Sequence, residues 1–109
     1  MSGPGNAAAI EKAKWDIKQC LERVRGAIRM KVHPKDQGHL LDAVDRIQEE
    51  VLSAAAPDAG KLQGSFIRGK DQARKSLNKR PADMVQILNE IDGLSDEVNK
   101  LLQVITKGV

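Results

Sequence analysis

At 109 residues the chain is one domain's worth and can bury a modest core. Its 18 basic and 15 acidic side chains leave a net charge of +3, too mild by itself to imply a nucleic-acid partner. No apolar run reaches the roughly 18 residues of a membrane span, and Cys20, the sole cysteine, excludes an internal disulfide. The opening MSGPGNAAAIEKAKW lacks the basic-then-apolar layout of a secretory signal, so an intracellular, cytoplasmic protein is expected.

No stretch alternates like a strand, which predicts an all-α chain. Residues 1–6 read as a short disordered tail on a single domain of residues 7–109. Asn6 is a candidate N-cap for a first helix over residues 7–31. Its Ile10, Ala13, Ile17, Cys20 or Leu21, Val24 and Ile28 recur at steps of three and four and make one apolar face. Pro34 stands where a first-turn proline belongs, with Asp36 favouring the positive helix end. The second helix then uses Leu40, Leu41, Val44, Ile47, Val51 and Leu52. Residues 56–60, APDAG, read as a loop.

A third helix over residues 61–78 carries a thin stripe of Leu62, Phe66, Gly69, Ala73 and Leu77, whose small members allow close approach to a neighbour. The fourth helix carries an unbroken heptad seam: Met84, Ile87, Ile91, Leu94, Val98, Leu101 and Ile105. Val85, Leu88 and Leu102 widen that seam to the face of a globular bundle.

HPKDQGHLLDAVDRIQEEV, residues 33–51, is echoed by RPADMVQILNEIDGLSDEV, residues 80–98. Pro34/Pro81, Asp36/Asp83, Leu41/Leu88, Asp45/Asp92, Glu50/Glu97 and Val51/Val98 are identical, and Leu40/Ile87, Val44/Ile91 and Ile47/Leu94 are conservative. Duplication and convergence explain this equally, because amphipathic helices share a vocabulary. Either way it implies two helical hairpins, each ending in an acidic, strongly apolar helix.

Charge agrees. Residues 7–32 carry +4, 36–58 carry −5, 61–80 carry +6 and 83–109 carry −3. The alternation selects an antiparallel up-and-down four-helix bundle, in which each basic helix has two acidic neighbours and the first and third helices are not adjacent. Surface pairs contribute only about 0–1 kcal/mol each, so they choose an arrangement more than they stabilise one.

No constellation of catalytic residues stands out. His33 and His39 lack the spacing of a helical ligand pair, and neither cysteine nor carboxylate completes a metal site. GSFIRG, residues 64–69, has glycines but neither the Lys-Ser/Thr nor the preceding strand of a phosphate loop. Cys20 leans to the apolar side of its helix and reads as an inert core thiol. The chain is expected to be no enzyme, with no cofactor, no metal, no small-molecule substrate and no membrane association.

Two binding readings remain. The first is a protein-interaction scaffold that presents a helical face to a protein or to a second copy of itself. Its carriers would be Trp15, which faces away from its helix's apolar stripe, and the seam residues Leu94, Val98, Leu101 and Ile105, which would pair as a coiled coil if left uncovered. The second is a sequence-nonspecific binder of duplex RNA or DNA. Lys14, Lys18, Arg25 and Arg29 share a sector of the first helix, and Arg68, Lys75 and Lys79 form a stripe with Lys61 on the third. The plainer expectation for these stripes is a solvated face neutralised by acidic neighbours. What separates the two readings is whether the stripes stay uncovered once the acidic helices pack.

Overall fold

The computed structural model describes the backbone of residues 3–53 and 57–107, and it is helical apart from short connections. Helix α1 spans Gly3–Lys31 and α2 spans Pro34–Gln48, continuing into a π-helical stretch, Glu49–Ser53. Helix α3 spans Ala59–Ser76 and α4 spans Pro81–Lys107. Helix α1 packs on α2 and α4, and α3 packs on the same two, so the basic helices lie on one diagonal and the acidic helices on the other. This is an antiparallel up-and-down bundle of two hairpins, α1–α2 and α3–α4. It measures 52 × 22 × 19 Å.

The two echoed segments start their helices alike. Pro34 and Pro81 each open a helix, where a missing N–H costs nothing. The carbonyl before each proline accepts the first backbone bonds: His33 O from the N–H of Asp36 (2.8 Å) and of Gln37 (3.2 Å), and Arg80 O from the N–H of Met84 (3.0 Å). The match continues inward. Leu40 and Ile87, Val44 and Ile91, Ile47 and Leu94, and Val51 and Val98 are all buried. Leu41 and Leu88 are both half-buried.

The bundle end that holds both short turns is tied across the hairpins. The Gln37 side-chain amide donates to Arg29 O (3.2 Å) and Val32 O (2.9 Å), which terminal helical carbonyls require. Arg80 Nη1 donates to Lys31 O at 3.2 Å, and its Nε pairs with Asp83 at 3.0 Å. Asp83 also faces Lys31 at 3.8 Å.

The apolar stripes converge as the periodicity predicts. Ile17, Leu21, Val24 and Ile28 of α1 meet Ile87, Ile91, Leu94, Val98 and Leu101 of α4 in one core, with Leu62, Phe66, Ala73 and Leu77 from the α3 side. Burying each large aliphatic side chain contributes about 1.5–3 kcal/mol. On α3, an added methyl at Gly69 would stand 4.0 Å from the Ala43 Cβ, so the thin stripe does bring α3 close to α2. The buried Ser65 hydroxyl donates to Glu50 at 2.7 Å, and among the described residues no buried side-chain N or O lacks a partner.

Four details differ from the sequence expectation. Helix α1 begins at Gly3 and so runs through Asn6, the candidate cap. Of the expected tail, Met1 and Ser2 lie outside the described residues. Helix α3 begins at Ala59, inside the expected loop, because Asp58 caps it: the carboxylate accepts from the N–H of Gly60 (2.8 Å) and of Lys61 (3.2 Å). Helix α3 also ends at Ser76, which leaves Lys79 in the turn. Val85 points to solvent at 53% exposure and does not widen the α4 seam.

Candidate nucleic-acid interface

Helical phase and ion pairing together decide which basic residues are free. On α1, Arg25 is not. Its guanidinium lies 2.8 Å from Asp45 Oδ1 on α2, donates to Gln48 as well, and sits 3.7 Å from Glu22. Lys14 is half-buried. Lys18 and Arg29 are exposed and join no ion pair among the described residues. The predicted α1 stripe therefore keeps two open members and loses its centre to α2.

On α3 the outcome is the reverse. Lys61, Arg68 and Lys75 are seven residues apart, all exposed, and none is ion-paired among the described residues. Lys79 is exposed in the turn beyond. The α3 cations that do pair lie on the other flank: Lys70 with Asp92 of α4, and Arg74 with Asp71 at 3.1 Å. A contiguous groove runs between α2 and α3. Its upper part is lined by His39, Asp42 and Arg46 against Arg68 and Gln72, and its lower part by Arg46, Glu49 and Glu50 against Lys61 and Arg68. Arg46, the one basic residue among residues 36–58, thus faces Arg68 across the groove. Sequence reasoning passed over it because its helix is acidic in sum. The available signal was phase: Arg46 follows His39 by seven residues, on the flank opposite Asp45.

The candidates for protein binding separate too. Leu94, Val98 and Leu101 are buried, at 0%, 1% and 0% exposure, and Ile105 is half-buried against the same core. The α4 seam is therefore spent inside the bundle, where it faces α1 and α3, and offers no coiled-coil surface in this packing. Trp15 is exposed at 60% and Met30 at 81%, both on the side of α1 away from the core. A trough between α3 and α4 exposes Ile67 above a floor of buried Leu62, Phe66 and Val98.

The remaining chemistry is sparse. Cys20 is buried, and the Arg23 guanidinium donates to its Sγ at 3.0 Å. That hydrogen bond is the main cause that raises the Arg23 pKa above its ordinary range, which leaves the side chain cationic as before. His33 Nδ1 accepts from the Lys35 N–H at 3.3 Å as part of the α2 cap. No three His, Cys, Asp or Glu side chains converge among the described residues. No described helix is long and apolar enough to cross a membrane.

Comparison with known proteins returns nothing similar: no protein-family model, no curated protein and no solved structure matches this chain.

Proposed function

We propose that the chain is a non-catalytic helical module that binds duplex nucleic acid through its phosphates, without reading base sequence. One observation carries the reading: Lys61, Arg68, Lys75 and Lys79 remain exposed and in no ion pair among the described residues after the acidic helices have packed, the inter-helix ion pairs having taken Arg25, Lys31 and Lys70 instead. An uncommitted cation can displace a condensed counterion from a phosphate, and each such contact adds about −0.9 to the slope of log K against log[salt]. The test is fluorescence anisotropy of a labelled duplex at low and at physiological salt. Micromolar or tighter binding with a steep salt dependence is expected. No binding at low salt overturns the reading.

The second reading, a protein-docking module, is favoured by Trp15. A tryptophan exposed at 60% on an outward helix face is the kind of side chain that anchors interfaces. A photo-crosslinking residue at position 15 should then give a discrete protein adduct that the same residue at Asp71 does not. Identical adducts at both positions remove this reading.

A further inference from the structure

We infer that the duplex is RNA and that it lies across the α2–α3 face, gripped at the centre by Arg46 and Arg68. This rests on the phosphate-binding reading above and adds a site and a substrate class to it.

The site follows from where free charge accumulates. Arg46 and Arg68 come from different helices and line the same groove, and no ion pair among the described residues neutralises either. Two like charges that line one groove from facing helices, neither of them ion-paired among the described residues, suit an anion that bridges both. Lys61 and Lys75 extend the row one heptad either way along α3, about 10 Å per step. Lys79 and Lys35 continue it at the end of the bundle that holds the short turns. Beside Arg46, Arg68 and Lys61 the groove sets Asp42, Glu49 and Glu50, and Glu50 is occupied with the Ser65 hydroxyl. On α1 the corresponding centre, Arg25, is bound to Asp45 and Gln48, so that helix lacks an equivalent grip.

The substrate class follows from shape. The α2–α3 face is two helices broad, about 20 Å if each helix is some 10 Å across. A B-form major groove about 12 Å wide admits a single helix, so this pair would not enter it. The A-form minor groove is wide and shallow, and a duplex of that shape presents both phosphates and 2′-hydroxyls to a broad, shallow surface. Gln72 and His39, which line the groove beside Arg68, supply hydrogen-bonding groups suited to those hydroxyls. The close approach at Gly69 and Ala43 keeps the two helices near enough for one duplex to touch both.

The experiment uses the full chain and a labelled RNA duplex of about 20 base pairs, longer than the roughly 16 that a comparable shape-reading domain spans, with a DNA duplex of the same sequence in parallel. Three proteins are compared: wild type, Arg46→Gln/Arg68→Gln, and Lys18→Gln/Arg29→Gln. All four substituted side chains are exposed, and circular dichroism melts confirm that both variants fold. The expected result is RNA binding by the wild type at least tenfold tighter than DNA binding. The Arg46/Arg68 variant should lose at least tenfold in affinity and about 2 from the salt slope, while the Lys18/Arg29 variant changes less than threefold. Absence of wild-type binding to either duplex removes both this inference and the reading beneath it. Binding that the Lys18/Arg29 variant loses as much as, or more than, the Arg46/Arg68 variant overturns the site alone. Equal affinity for DNA overturns the choice of RNA.

Discussion

Asp45 and Asp92 hold equivalent places in the two hairpins: each accepts an ion pair from the basic helix that precedes its own, Asp45 from Arg25 of α1 and Asp92 from Lys70 of α3. The two acids are aligned in the doubled phrase, so the echo extends from apolar spacing to the partner each helix selects. Each pair fixes the rotation of an acidic helix against its basic neighbour.

These pairs should orient more than they stabilise. Asp45 is 61% exposed, and its pairing with Arg25 should show a double-mutant coupling of about 0.2–1 kcal/mol in urea unfolding. Asp45→Asn and Asp92→Asn, on opposite sides of the bundle, should add within about 0.5 kcal/mol. A coupling well above 1 kcal/mol would mean that the charges act as a buried network.

Leu94→Ala should cost about 2–5 kcal/mol, read as a lower urea midpoint, because the side chain is fully buried at the centre of the seam. Leu94→Asp should abolish folding, since it places an unpaired charge there. Retention of a cooperative transition by the aspartate variant would show that α4 can expose its seam.

Gly69 gives a graded test of the α2–α3 approach. Gly69→Ala should be neutral or stabilising by up to ~1 kcal/mol, because the new methyl meets Ala43 at ordinary contact distance, 4.0 Å, and alanine is the better helix former. Gly69→Leu should destabilise by about 1–3 kcal/mol as it forces the helices apart. Equal melting temperatures for the two variants would contradict the close approach.

Trp15 is the sole tryptophan and is exposed at 60%, so intrinsic fluorescence reports on it directly. Emission from the folded protein should lie near that of the urea-unfolded chain and be quenched readily by iodide. Trp15→Ser should shift the unfolding free energy by less than about 0.5 kcal/mol, as expected of surface positions. A blue-shifted, unquenchable signal would place the indole under cover.

Much of the architecture was legible because burial imposes a period. Ile17, Val44, Phe66 and Leu94 each fall on the core side where steps of three and four put them. The charge alternation likewise foretold that α1 and α3 would not be neighbours. Helix ends were less legible. Asp58 looked like part of a loop because Pro57 and Gly60 flank it, although a side-chain oxygen there is what lets α3 begin at Ala59. The π-helical stretch of Glu49–Ser53 left no mark, since EEVLS suits a regular α-helix equally well. Among the candidate site residues, neither the capture of Arg25 by Asp45 and Gln48 nor the presence of Arg46 and Arg68 in one groove can be read from one helix alone. Both depend on how two helices are rotated against each other.

The longest packing interface joins α1 to α4, the two helices farthest apart in the chain. Each hairpin can form from neighbouring segments, but α1 has its main partner in α4, which is made after both intervening helices. During synthesis, Ile17, Val24 and Ile28 therefore stay without their principal cover until α4 has left the ribosome, and the nascent first hairpin exposes that apolar face until then.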